Sequence, residues 1–199
     1  MTVGWLTARS TGPLARIRSP RPVNVTVSGT SVGIYPVLPD HLGRQLDVVP
    51  PSRDGDLEYR PCAVTVDDGS EIDCVYVVEY EAYLRHWGVW PEDDAGKLWV
   101  PLERVRALRE SSYRLPAALA DELYQAGESG MGHTVFTVEF ADGTRQAYVG
   151  GNAIDFIDPP GGLNAADARR VFPNEGRQNA LGRVLSYHWC LYDGKQRAR

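Results

Sequence analysis

The chain has 199 residues, a formal net charge of −5 and a hydrophobic content of 43%, which is ordinary for a globular protein. Its length fits one large domain or two small ones and permits a core without disulfides. Three cysteines do not make a secreted disulfide framework, and residues 1–20 lack the apolar segment of a signal peptide. No apolar run reaches the roughly 20 residues that span a bilayer. The sequence therefore predicts a cytoplasmic protein that does not enter a membrane.

The charges are unevenly distributed along the chain. Residues 61–130 carry six basic and fourteen acidic residues, so this part would repel nucleic-acid phosphates and attract a basic partner. Residues 1–21 carry no acid and four arginines, which are Arg9, Arg16, Arg18 and Arg21. Two interpretations of this segment stay open: a basic arm for nucleic acid, and a partly ordered leader.

Alternating segments separated by turns dominate the first half of the chain. Residues 23–37 predict a hairpin, and the Pro-containing stretch 38–60 is predicted to be irregular. We therefore predict a division between an N-terminal part, residues 1–60, and a main α+β unit, residues 61–199, with a single domain as the alternative.

A second hairpin is predicted for Cys62–Val66 and Ile72–Tyr80, around the Asp-Gly turn at residues 68–69. Its spacing would allow Cys62 and Cys74 to face each other. A connection over residues 81–96 and a short strand at 98–100 follow. Residues 102–110 read as a short helix, because apolar residues recur three apart.

Residues 115–127 predict an amphipathic helix, with Pro116 in its first turn and Gly127 just beyond its end. The clearest folding unit follows at residues 133–157, where alternating segments flank the turn at Asp142-Gly143 and a third short strand is predicted at 153–157. A short helix at 165–171 and a strand at 183–192 complete the pattern. The sequence thus predicts an α+β fold of mostly antiparallel hairpins with two or three short helices.

Residues 62–110 and 134–176 share one order of features: strand, Asp-Gly turn, strand, aromatic segment, loop and short helix. This order predicts an internal duplication into two related β-rich halves. The alternative is that hairpins resemble each other through common turn chemistry.

Sequence motifs for nucleotide binding, for zinc proteases and for serine hydrolases are missing, and the four histidines lack the spacing of metal ligands. We therefore predict no cofactor, no metal and no essential thiol. Two catalytic alternatives stay open. His188 and Cys190 lie two apart and would share one face of a strand, and Asp155 lies between apolar neighbours where it would be buried.

The most suggestive surface is the segment from Trp87 to Asp94. It joins two tryptophans to three acids, namely Trp87, Trp90, Glu92, Asp93 and Asp94. Tryptophan is enriched among residues that dominate binding energy, and acids accelerate encounter with a basic partner. The alternative is that both rings cover the core and the acids are solvated.

These features favour a protein-interaction module that binds a basic protein partner over an enzyme. Immunity proteins, which neutralise a toxin, are often small, acidic and free of catalytic motifs. The likeness to them is an analogy of class and not of sequence. An enzyme whose site no motif marks, of hydrolase type with Cys/His or carboxylate groups, is one alternative. A nucleic-acid binder that uses the basic arm is the other.

Overall fold

The computed structural model of the protein describes residues 35–178 and 180–194, and the side chains of 180–183 lie outside this description. The predicted basic arm at Arg9–Arg21 therefore lies outside the described residues. So does the predicted N-terminal hairpin, except for its last three residues.

The described residues form an α+β fold with two mostly antiparallel sheets, as the sequence predicts. The helices are α1 (Asp40–Asp47), α2 (Tyr80–Trp87) and α3 (Ala117–Ala126). The strands are β1 (Ser52–Asp54), β2 (Leu57–Val66), β3 (Glu71–Glu79), β4 (Leu98–Trp99), β5 (Val105–Glu110), β6 (Thr134–Phe140), β7 (Arg145–Gly150), β8 (Ala168–Pro173), β9 (Ala180–Arg183) and β10 (His188–Tyr192). Among these helices, none is both long enough and apolar enough to cross a membrane.

The first sheet has the order β1-β2-β3-β10-β4, and β5 also pairs with β2. The second sheet has the order β8-β6-β7-β9. Neighbouring strands are antiparallel except where β10 pairs with β3 and β4 and where β9 pairs with β7.

Two groups of three strands pair in the same order and direction, and their registers agree next to the Asp-Gly turns. In the first sheet Thr65 of β2 lies opposite Glu71 and Ala107, and in the second sheet Glu139 of β6 lies opposite Arg145 and Arg170. A 3₁₀ turn precedes β5 in the first group and β8 in the second. A parallel strand also lies beside the second strand of each hairpin: β10 pairs with β3, and β9 pairs with β7. A common descent of the two groups stays a prediction, because shared topology also arises independently.

The two hairpins differ by one residue. Cys74 has a φ of 58° and forms a bulge in β3, so that Cys62 lies opposite Val75 and not opposite Cys74. The two thiols consequently belong to different core clusters, which corrects the expectation that they face each other.

The helices predicted at 102–110 and 165–171 are wrong beyond their first turns. Each begins as a 3₁₀ turn and continues as a strand, β5 or β8. A register shift leaves one extra residue in each strand, Arg106 in β5 and Arg169 in β8. Residues three apart normally lie on opposite faces of a strand, but the extra residue places Val105 and Leu108 on the same face. The resulting spacing of apolar residues resembles that of a helix.

The stretch 38–60 is also not irregular, since it contains α1, β1 and the start of β2. Strand β2 crosses residue 60, the predicted boundary, and the division of the chain into residues 1–60 and 61–199 stays a prediction. Other differences are small: α2 occupies part of the predicted connection 81–96, residues 156–157 form only isolated bridges, and the predicted last strand is divided into β9 and β10. Helix α3 and strand β4 confirm the expectations for residues 115–127 and 98–100.

Three apolar clusters form the core of the described part of the chain. One packs α1 against the first sheet through Leu42 and Leu46, and another packs α3 against the second sheet through Leu123 and Phe136. The third is rich in aromatic rings and brings α2, the other face of the first sheet and Phe156 together. Both candidate surfaces described below border this aromatic cluster.

Candidate functional site

Trp87 lies in a helix and not in a loop. The carboxylate of Glu79 accepts hydrogen bonds from the backbone N–H groups of Glu81 and Ala82, so it caps the start of α2. The helix ends at Gly88, which takes the left-handed conformation with a φ of 70°. Trp87 is therefore the last helical residue, and the helix determines the direction in which its side chain leaves the backbone.

The ring of Trp87 supports the core more than it offers a contact surface. It packs 5.9 Å from the ring of Trp189, and the Nζ atom of Lys97 lies 4.2 Å from its centroid. Its Nε1 atom is buried and has no hydrogen-bond partner among the described residues. Lys97 also donates a hydrogen bond of 2.8 Å to the hydroxyl of Tyr83, and burial lowers the pKa of the Lys97 ammonium.

Trp90 is partly exposed and rests on two tyrosines. Its ring centroid lies 5.5 Å from that of Tyr35 and 6.4 Å from that of Tyr80. The Tyr35 hydroxyl donates to the carboxylate of Glu92 and lies 2.9 Å from both oxygens. Burial, the hydrogen bond to Glu92 and the charge of Glu92 together raise the pKa of Tyr35. These contacts hold Trp90 and Glu92 in place.

The two remaining acids differ in their surroundings. Asp94 accepts a hydrogen bond from the Gly96 N–H and lies 3.8 Å from Lys97 Nζ, so part of its charge is offset. Asp93 is exposed, and the structure gives its side chain no ion pair among residues 35–178 and 180–194. Of the five predicted residues, Asp93 is exposed and Trp90 and Glu92 are partly exposed, whereas Trp87 and Asp94 both contact Lys97.

His188 and Cys190 both lie on β10, and neither side chain is exposed. Cys190 is fully buried, and burial raises the pKa of its thiol to about 12, so the thiolate that attacks a substrate is scarce at neutral pH. His188 is partly buried, its pKa is lowered by burial, and its Nδ1 has no partner among the described atoms.

Asp155 is fully buried, as its apolar neighbours predict. Its carboxylate accepts hydrogen bonds from the hydroxyls of Ser52, Tyr76 and Tyr124. The buried Arg114 donates to Ser52 Oγ at 3.1 Å. This carboxylate is closed off from solvent, and its hydrogen bonds join β1, β3 and α3.

A cleft that the sequence does not reveal lies beside this network. It encloses about 230 Å³, and its lining residues are Asp54, His86, Leu123, Tyr124, Gly127, Glu128, Thr134, Asn152 and Ile154. His86 Nε2 lies 3.4 Å from Asp54 Oδ2. Burial raises the pKa of Asp54, His86 opposes this shift, and the charge of Glu128 adds to it. The residues that line the cleft come from five separate parts of the chain, so no local spacing could have identified them.

Within the described ranges, no group of three or more His, Cys, Asp or Glu side chains is arranged to hold a metal ion. The expected lack of a metal and of a cofactor stays a prediction. Comparisons of the chain with protein-family models, with curated proteins and with solved structures find no match.

Proposed function

We propose that the protein is an interaction module that binds a basic protein partner, as an immunity-type protein does, through the surface of Trp90, Glu92 and Asp93. The observation that carries this proposal is the partly exposed Trp90 ring, which two tyrosines hold beside a carboxylate and an exposed aspartate. A fixed aromatic ring loses little conformational entropy on binding.

The charges at this surface support a basic partner. The carboxylate of Glu92 accepts the hydrogen bond from the Tyr35 hydroxyl, and the side chain of Asp93 is exposed to solvent. Such charges accelerate encounter with a positive surface, and the aromatic ring slows dissociation after contact. The catalytic alternative has weaker support, because Cys190 and Asp155 are both buried. The basic-arm alternative concerns residues outside the described part of the chain and stays a prediction.

Affinity capture from native lysate, followed by mass spectrometry and binding kinetics, tests the proposal. We expect a basic protein that is retained by the unmodified chain and by Tyr113→Ala, a control at another exposed aromatic residue. Trp90→Ala should accelerate dissociation at least about tenfold. Asp93→Asn should slow association and weaken its dependence on salt, whereas the exposed control Asp158→Asn should not.

The proposal fails if Trp90→Ala and Asp93→Asn leave capture and both rate constants unchanged. Trp87→Ala is uninformative about the surface itself, since it removes a core contact with Trp189. Each variant therefore needs a thermal unfolding curve beside its binding data.

A further inference from the structure

The cleft beside α2 and α3 is small. Its volume of about 230 Å³ is smaller than the roughly 300–1,000 Å³ of pockets that enclose drug-sized ligands. The cleft is lined by the end of β1, the last turn of α2, the end of α3 with the residues that follow it, and the start of β6. Several rigid elements thus fix its shape.

The polar groups of the cleft are mainly acceptors. Asp54 and Glu128 supply carboxylates, and Asn152 adds an amide. Thr134 is only 6% exposed, lines the cleft, and makes no side-chain hydrogen bond to any residue that the structure describes. A hydroxyl that finds no partner in the protein is satisfied by water or by a ligand. This feature is independent of the acids and points to a polar occupant.

The field in the cleft favours a cation. Helix α3 ends at Ala126, and both Gly127 and Glu128 line the cleft directly beyond it, while His86 lies in the last turn of α2. The C-terminal end of a helix carries a partial negative charge, which adds to that of the carboxylates. Burial and Glu128 raise the pKa of Asp54, and His86 compensates for this only in part. A cationic ligand would relieve the same unfavourable charge.

One wall of the cleft is apolar. Leu123 and Ile154 lie beside the ring of Tyr124, whose hydroxyl is already engaged by Asp155. A guanidinium group suits this combination better than an ammonium group, because it is planar, weakly hydrated and able to donate to several acceptors at once.

We propose that this cleft binds a guanidinium group, with Asp54 and Glu128 as its ion-pair partners and with the oxygens of Thr134 and Asn152 as further acceptors. His86, which contacts Asp54, positions that carboxylate. The guanidinium belongs either to a free arginine-like molecule or to an arginine side chain of another protein. Neither source requires the surface around Trp90, so this proposal stands apart from the function proposed above.

Titration of the full chain with methylguanidinium, followed by calorimetry and by the NMR signals of His86, tests the proposal. We expect saturable binding that is at least about tenfold tighter than binding of methylammonium. Asp54→Asn and Glu128→Gln should each weaken binding about tenfold or more, while Glu122→Gln should not. Glu122 is an exposed acid of α3 that does not line the cleft.

Thr134→Val separates binding from folding. Because the Thr134 hydroxyl has no partner among the described residues, the variant should keep its thermal stability and still bind methylguanidinium several-fold more weakly. Equal affinity for methylammonium, or unchanged affinity in Asp54→Asn and Thr134→Val, would overturn the proposal. Tighter binding of an arginine-containing peptide than of free arginine assigns the group to a protein, and the reverse order assigns it to a small molecule.

Discussion

The hydroxyl of Tyr124 donates a hydrogen bond of 2.7 Å to Oδ2 of the fully buried Asp155. The same hydroxyl accepts a hydrogen bond of 3.1 Å from the Ile154 N–H, so it both donates and accepts. Because Tyr124 belongs to α3 and also lines the cleft, this contact connects the wall of the cleft to the centre of the core.

Removal of the Asp155 carboxylate is expected to destabilise the protein strongly. Asp155→Ala leaves the hydroxyls of Ser52, Tyr76 and Tyr124 without their common acceptor, and it removes the nearest buried negative charge from Arg114. We expect a loss of about 3 kcal/mol or more in the free energy of unfolding, measured by urea denaturation. The exposed control Asp158→Ala should stay within about 0.5 kcal/mol. A loss that small in Asp155→Ala would contradict the structural role assigned to the network.

The Asp155 network should also make stability depend on pH. Burial raises the pKa of Asp155 above its usual range, although Ser52, Tyr124, Arg114 and Tyr76 act against this shift. The folded state then binds a proton more tightly than the unfolded state, so the contribution of Asp155 is full below the unfolded pKa and is lost as pH rises through the folded pKa. The stability difference between the unmodified chain and Asp155→Asn should therefore decrease over the pH range above about 4, the unfolded pKa of an aspartate. A difference that grows over this range would reverse the sign of the shift.

All three thiols should be unreactive in the folded protein. Cys62, Cys74 and Cys190 are buried, and burial raises the pKa of Cys74 and of Cys190 to about 12. We expect no fast reaction with a disulfide reagent under native conditions and reaction of three thiols in denaturant. Met131→Cys is a suitable control, because Met131 is 100% exposed and the new thiol should react at once. A thiol of the unmodified chain that reacts rapidly with the reagent under native conditions would contradict the burial of the three cysteines.

Gly176 is expected to tolerate no side chain. Its φ is 93°, and a methyl group on it would lie 2.7 Å from Thr137 Oγ1 and would also meet the Cβ of Ala147. Gly143 has a similar φ of 85° but open space around it. Gly143→Ala should therefore cost about 1 kcal/mol from the backbone conformation alone, and Gly176→Ala should cost clearly more. Thermal unfolding of both variants measures the difference, and equal losses would show that the close approach carries no penalty.

Local patterns predicted the elements whose chemistry is local. The turns at Gly69 and Gly143 and the helix α3 were found because Asp-Gly pairs, alternation and a Pro and Gly boundary each act within a few residues. Strands β5 and β8 were missed because the extra residues Arg106 and Arg169 give a strand the spacing of a helix.

The cleft was missed for a different reason. Asp54, His86 and Glu128 are far apart in sequence, and only the pairing of β1 with β2 and the packing of two helices bring them together. Composition identified the segment from Trp87 to Asp94 as a candidate surface. It did not reveal that the ammonium group of Lys97 lies over the ring of Trp87 and forms an ion pair with Asp94.

The place of β10 in the first sheet has a consequence during synthesis. Residues 188–192 lie between β3 and β4, so the edge of β3 stays unpaired until almost the whole described chain has left the ribosome. The hairpin of β2 and β3 needs only residues 57–79, and its open edge is until then a template for pairing with other nascent chains. A ribosome that stalls before Trp189 would leave this edge, and the aromatic cluster that Trp189 fills, open to aggregation and to recognition by chaperones.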